Sequence, residues 1–494
     1  MHRIDSPRRR FLRHAATLHA LAWLPARAVA QAAVPRLRAA PVRLSLLGQP
    51  HPDTDVWAYN GQVPGPLLRV KQGERLDVSV ENALPQATTV HWHGIRLPNA
   101  MDGVPHVTQV PIAPNGGRFA YAFACPDAGT FWYHPHANSN EQVERGLHGA
   151  LIVDEATPPP VDRDELWVLD DWKMEADGQV SDDFDSPFDA SHAGRIGNTV
   201  TINGRLPDRF ALVAGERIRL RLLNVANARV FSLAFEGHAP TIVAHDGMPC
   251  EPYAARRIVL GPGMRVDAIL DATGEPGATM RVLDDFAPRG VYEVVKLAYA
   301  SGRRARAVAL TERIVLPANP VASPALAQAQ RHRFTFTGGM MGRMPGASGM
   351  GGMGGMGGMG GMGGMKGMGG MGGMGGMAGM GNGGHLWAIN GKSMDETSHE
   401  GPPLLTLRRG RSYVFELVND TAWWHPIHLH GHVFRIVSRN GQRVARPVDA
   451  DTTLLPPRER ADIAFVADNP GDWMFHCHVL EHQARGMMGV IRVT

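Results

Sequence analysis

Near the C-terminus the chain reads His476-Cys477-His478, followed by His482 and Met487, and upstream it reads His425-Pro426-Ile427-His428-Leu429-His430. These two segments carry one thiolate, six imidazoles and a thioether. A trigonal His-Cys-His site with a weak axial Met is the ligand set of a blue-copper electron-transfer centre. Cys477, His425, His482 and Met487 supply that set. His476 and His478 alternate with Cys477, so on a strand they point to the opposite face. They can therefore bind a different metal while staying one residue from the blue copper.

Two more paired-histidine motifs lie near the N-terminus, His91-Trp92-His93-Gly94 and His134-Pro135-His136. Each His-x-His places both imidazoles on one face of a strand, a chelating pair. With His428, His430, His476 and His478 they make eight histidines in four pairs. Eight imidazoles are enough for a three-copper cluster with two or three per metal. A single such pair is readily a coincidence of surface or core histidines; four pairs, one built around a Cys, are not.

These four segments resemble the four copper-binding motifs of the multicopper oxidases, and the sequence from Asn60-Gly61 to Val493 fits the same family. The resemblance implies four copper ions: a type 1 copper on His425, Cys477, His482 and Met487, and a type 2 copper on His91 and His428. The type 3 pair is then held by His93, His134, His136, His430, His476 and His478. It also implies that electrons pass from Cys477 to His476 and His478 and reduce O₂ to water, with His425, flanked by Trp423 and Trp424, as their entry point. Asp102 matches the acidic residue that the family places near the cluster to supply protons; alternatively, Asp102-Gly103 is simply a turn pair. Some relatives carry a second acid just after the position of His482. Here that position is Gln483, with Glu481 nearby, so a second proton route is in doubt.

The elements that must position these residues show as an internal triplication. Gly73–Asn82, Gly215–Asn224 and Gly410–Asn419 each run from Gly to Asn with apolar residues alternating at period two, the pattern of a half-buried strand. An Asn-Gly turn precedes each: Asn60-Gly61, Asn203-Gly204 and Asn390-Gly391. Regular strands and turns predict an all-β protein of sandwiches, and the family implies three cupredoxin-like Greek-key β-sandwich domains, read here as residues 40–157, 160–318 and 328–494. Laying Phe231–His238 on His425–His432 replaces His425 by Phe231, His428 by Ala234 and His430 by Glu236. The middle domain is therefore expected to bind no copper, and His238 and His432 to be structural. Laying Gly129–His136 on Gly471–His478 puts Pro135 in place of Cys477, with Leu147 in place of Met487. The first domain can lend histidines to a cluster but cannot hold a blue copper.

The 494 residues suit about three domains. Residues 1–30 hold six Arg and one Asp against a whole-chain charge of +3, so the remainder is near −2 and no nucleic-acid surface is implied. Arg8-Arg9-Arg10-Phe11-Leu12-Arg13, a short apolar stretch and Ala28-Val29-Ala30 resemble a twin-arginine export signal, which predicts a periplasmic protein. No segment is long and apolar enough to span a membrane. Besides Cys477 there are only Cys125 and Cys250, expected in different domains as free thiols.

Residues 340–380 hold fourteen of the 24 methionines, and from Met350 to Met380 one recurs at every third position among glycines. That much Gly disfavours a helix. An extended three-per-turn chain would align the thioethers, and thioethers select Cu(I); the alternative is a flexible linker. Met350, Met353, Met356, Met359, Met362 and Met365 are the candidate ligands for extra Cu(I), within an insert at 338–384 that resembles those of bacterial cuprous oxidases. Thr421 and Trp423 stand where some cuprous oxidases carry Asp and Met, and Asp420 can substitute in part. The donor is thus expected to be Cu(I), in copper tolerance. The alternatives are a laccase of phenols or diamines with the tract as a copper store, a copper-sequestering protein, or a copper-free cell-division scaffold of the same fold. All cluster ligands lie in one chain, so a monomer suffices.

Overall fold

The computed structural model describes residues 34–306, 310–340, 385–394 and 401–494. The export segment at 1–30 and the tract from Met350 to Met380 lie outside them. Residues Arg36–Thr494 form one unit. Among the described residues six sheets follow one another in pairs along the chain. The first pair has four strands each, drawn from Arg36–Leu44 to Gly149–Asp154. The second has six and five strands between Arg163–Trp172 and Tyr292–Arg304. The third has seven and five, between Gln330–Gly338 and Met488–Val493. This is the expected all-β, cupredoxin-like architecture.

The triplication appears as three copies of one hydrogen-bonding device. Strands Arg75–Asn82, Arg217–Asn224 and Ser412–Asn419 each pair parallel with the first strand of their sandwich and antiparallel with a later one. Their terminal asparagines bridge loops in the same way. Asn82 Nδ2 donates to the Gln86, Ile112 and Ala113 carbonyls, Asn224 Nδ2 to Arg229 and Leu260, and Asn419 Nδ2 to Trp423, Leu455 and Pro456. The three turn asparagines sit at φ 54°, 54° and 52°, a left-handed conformation that Asn tolerates. Each clasps the neighbouring strand, as Asn60 does with the Arg38 N–H and the Arg36 carbonyl.

Replacing Asn82 by Ala removes its bonds to the Gln86, Ile112 and Ala113 carbonyls and takes the acceptor from the buried Leu84 N–H. The apoprotein should lose about 2–3 kcal/mol of stability. A denaturation midpoint unchanged in Asn82→Ala would contradict that role.

The middle copy departs from a half-buried strand. Arg75–Asn82 alternates, with Leu76, Val78 and Val80 inward, but all eight residues of Arg217–Asn224 are buried. Its outward arginines meet carboxylates instead of water: Arg219 pairs with Glu155 and Asp267, and Arg221 with Asp164 and Asp267. Burying a charge is tolerated only with such partners. The first and third sandwiches share one apolar cluster, running from Leu37 through Trp92 and Phe336 to Cys477 and Val493, while the middle sandwich has its own around Leu220 and Phe231. That shared packing brings the two histidine-bearing sheets together.

Candidate metal centre

Strand Gly471–Cys477 sets Cys477 opposite Ile427 on strand His425–Leu429, and the short helix Leu480–Ala484 brings His482 back beside them. Cys477 Sγ lies 3.4 Å from His425 Nδ1 and 3.7 Å from His482 Nδ1, and the two Nδ1 atoms are 3.2 Å apart. The outer nitrogens are committed elsewhere. His482 Nε2 donates to the His192 carbonyl at 2.7 Å, and His425 Nε2 meets Thr421 Oγ1 at 2.8 Å. A ring that donates from Nε2 keeps its Nδ1 lone pair facing inward. The Val479 N–H points at Sγ at 3.4 Å, Met487 is buried beside them, and Trp387 packs on His482 at 4.1 Å.

His425 does not offer the exposed edge expected of an electron entry point. It is fully buried, and its outer nitrogen is spent on Thr421. Trp423 and Trp424 are half-buried; Trp423 Nε1 donates to the Met340 carbonyl at 3.0 Å. A way out runs through His482 to half-buried His192, just beyond helix Pro187–Ser191 of the middle sandwich. Asp420, the expected substitute acid, is an exposed partner of Arg458.

The eight paired histidines converge between the first and third sandwiches. Register fixes the pairs: His91 lies opposite His134, and His428 opposite His476. Rings of the two sandwiches stack, His91 on His430 and His93 on His428, each at 3.8 Å between centroids. His136 packs against His430 and His476 at 5.0 and 5.1 Å, and His478 against His93 at 5.0 Å. Outer nitrogens are again held: His91 Nδ1 by the Asp102 carbonyl, His134 Nδ1 by Pro135, His428 Nδ1 by Asp451, and His476 Nδ1 by Cys477 itself, all at 2.8–2.9 Å. Their inward counterparts, His91 Nε2, His134 Nε2 and His428 Nε2, are buried without a hydrogen bond, as is His93 Nδ1. His430 Nε2 and His476 Nε2 face each other at 3.1 Å. Buried polar atoms left this way call for a missing partner. Converging imidazole lone pairs with anchored far nitrogens fit transition-metal ions.

Burial, and then the crowding of neighbouring imidazoles, holds His134, His430, His476 and His478 well below the ordinary histidine range. Burial brings His482 down to about 3. These rings are neutral, the form that binds metal. The middle sandwich has no comparable set. Strand Phe231–Phe235 takes the place of His425–Leu429, Glu236 pairs with Arg281, and every candidate metal group among the described residues lies outside it. His238 bonds Tyr299, and His432 packs on Phe465 and Trp473, both as structural residues. Cys125 and Cys250 are free.

Two acids reach the histidines, and only one of them shows in the sequence pattern. Asp102 Oδ2 accepts from His430 Nδ1 at 2.9 Å, and Oδ1 lies 3.2 Å from His91 Nδ1, so it bridges histidines of the two sandwiches. Asp451, unmarked by any motif, accepts from His93 Nε2 at 3.0 Å and lies 3.3 Å from His428 Nδ1. Glu481, the expected alternative acid, touches none of the eight. Its carboxylate accepts from the Arg195 N–H and Asn227 Nδ2, both at 2.9 Å, because its position on the helix turns it toward the middle sandwich. Gln483, in the second-acid position, donates to Ser139.

Comparison with known proteins agrees with this geometry. Residues 43–158, 163–283 and 379–494 each match a family described as multicopper oxidase. The chain is 31% identical to multicopper oxidase MmcO of Mycobacterium tuberculosis, over 90% of this chain and 84% of that protein. It is 27% identical to a copper resistance protein A homolog of Pseudomonas syringae, over 88% of each. The crystal structure of a multi-copper oxidase from Pseudomonas thermotolerans superposes with a TM-score of 0.78 at 35% identity, covering 93% of this chain and 98% of that one. A metallo-oxidase from Campylobacter jejuni gives 0.72 at 25% identity, covering 93% and 90%.

Proposed function

This chain belongs to the multicopper oxidase family of oxidoreductases, and from that premise we propose that it uses Cu(I) as its electron donor in copper tolerance. The observation that carries the proposal is where the methionine tract begins. Met340, its first methionine, is 59% exposed and tied down at both ends of its peptide. Its N–H donates to the Ser191 carbonyl at 2.8 Å, and its carbonyl accepts from Trp423 Nε1. Ser191 precedes His192, whose carbonyl caps His482, and the His192 ring packs against Trp423 at 5.2 Å. The tract therefore starts over the way into the mononuclear site, and thioethers suit Cu(I).

In this reading His425, His482, Cys477 and Met487 hold a type 1 copper, and His91 and His428 a type 2. His93, His134, His136, His430, His476 and His478 hold a type 3 pair. When bound, copper supplies the one-electron storage that lets O₂ be reduced to water. The chain's own residues do the rest. The His192 carbonyl orients His482, and the Cys477 carbonyl accepts from His476 Nδ1, which adds a hydrogen-bonded shortcut to the covalent link between the two sites. The Asp102 carboxylate, against His430 Nδ1 and His91 Nδ1, is placed to relay protons to the cluster. The proposal includes domains at 40–157, 160–318 and 328–494, twin-arginine export to the periplasm, a monomer, and extra Cu(I) on the tract.

A phenol-oxidising laccase has one observation in its favour: Phe188, 66% exposed, stacks on the His192 ring at 4.2 Å and offers an aromatic platform at the same entrance. Deleting residues 341–380, which leaves Met340, separates the two. Cu(I) oxidation should fall about a hundredfold, the low end of the gain that tethering gives, while dimethoxyphenol oxidation stays within about twofold. Equal loss on both donors would sink the Cu(I) assignment.

A further inference from the structure

Two histidines from different sandwiches depend on one buried carboxylate. Asp451 Oδ1 accepts from His93 Nε2 at 3.0 Å, while His428 Nδ1 donates to the Asp451 carbonyl at 2.9 Å and lies 3.3 Å from Oδ1. Thr452 Oγ1 closes the arrangement, 2.8 Å from Oδ1 and within 3.2 Å of both ring nitrogens. His93 is turned the opposite way from His91, His134 and His428: its Nδ1, not its Nε2, faces the cluster without a partner. A neutral ring presents that lone pair only while Nε2 keeps its proton, so His93 needs an acceptor fixed in place.

What fixes the acceptor comes from the middle sandwich. Arg265 forks onto Asp451, Nη1 to Oδ1 at 2.9 Å and Nη2 to Oδ2 at 2.6 Å, a two-point grip that prevents rotation of the carboxylate. The guanidinium is itself seated on three carbonyls, Thr130, Gly263 and Asp246, at 3.0–3.1 Å. Asp246 completes the frame from the other side. Its Oδ1 accepts the Arg265 N–H at 2.8 Å, and its Oδ2 accepts the N–H groups of Thr452 at 3.0 Å and Asp451 at 3.3 Å. Gly94, next to His93, leaves the room: a Cβ there would stand 2.3 Å from Arg265 Nη2 and 2.5 Å from Asp451 Oδ2.

We propose that Arg265 and Asp246, on a sandwich without copper ligands, are positioning residues for the cluster: they lock Asp451 so that His93 presents Nδ1 and His428 presents Nε2. The inference rests on the type 2 and type 3 assignment above. It gives the middle domain a part in metal binding that the loss of His-x-His pairs from Phe231–Glu236 conceals.

The test uses copper-loaded, full-length Arg265→Lys, Arg265→Met and Asp246→Asn. Loss of such an outer partner weakens metal binding about 10–100-fold. After dialysis, copper per chain should fall from about four toward three, with the type 2 electron paramagnetic resonance signal shrinking or changing shape. The blue absorption per chain, which reports the separate Cys477 site, should stay at the wild-type level. Arg265→Lys, which keeps the charge but not the fork, should retain more type 2 copper than Arg265→Met. Wild-type copper content and an unchanged type 2 spectrum in all three variants would overturn the proposal. If Arg265→Met fails to fold, shown by absent blue absorption, the Lys and Asn variants decide. A wild-type chain that loads fewer than four coppers would instead contradict the copper assignment itself.

Discussion

Cys477→Ser should abolish the blue absorption and cut donor-driven oxygen uptake on the order of a thousandfold or more, the scale expected when one member of an interdependent catalytic unit is removed. Cys477 is the only described cysteine facing two histidine nitrogens, at 3.4 and 3.7 Å, and the only one whose neighbours in sequence both enter the cluster. A serine oxygen is too hard a donor for a blue-copper centre, and it breaks the link from thiolate to His476 and His478. The eight cluster histidines keep their anchors, so the variant should still bind about three coppers and show type 2 resonance. A Cys477→Ser protein that keeps a tenth of wild-type turnover would contradict the path.

Asp102→Ala should lower kcat about a hundredfold, at the low end for loss of a positioned proton donor. The carboxylate is buried and touches His430 at 2.9 Å and His91 at 3.2 Å, one histidine from each sandwich. Asp102→Asn keeps the shape and one acceptor but cannot carry the proton, so it should be nearly as slow. In both variants, reduction of the blue centre by donor under anaerobic conditions should stay at the wild-type rate, which places the defect at oxygen reduction. An Asp102→Ala enzyme within twofold of wild type would leave the carboxylate as a turn residue only.

The parts of the site that follow local periodicity are legible in the sequence. Alternation predicts that His476 and His478 turn away from Cys477, and the rings lie so: His476 among His136 and His430, His478 beside His93, and Cys477 Sγ toward His425 and His482. The repeated Gly-to-Asn strands and Asn-Gly turns are legible because each is a self-contained hydrogen-bonding device. Features set by contact between sandwiches are not. Asp451 sits in an unremarkable Asp-Ala-Asp segment, and its meeting with His93 spans 358 residues. Arg265 and Asp246 stand in a copy of the repeat that has lost its ligands, so their sequence gives no metal signal. Glu481 misleads for the same reason: proximity along the chain says nothing about which sandwich covers a side chain, and it is claimed by Arg195 and Asn227. His425 misleads differently, because its own sandwich buries it and Thr421, four residues earlier, takes its outer nitrogen.

Steady-state oxygen uptake by the copper-loaded chain with Cu(I) as sole donor, with peroxide measured alongside, tests the central claim most directly. The account predicts about four Cu(I) oxidised per O₂ consumed and no peroxide, with uptake lost in Cys477→Ser. A ratio near two with accumulating peroxide, or uptake no faster than free Cu(I) in buffer, would contradict it.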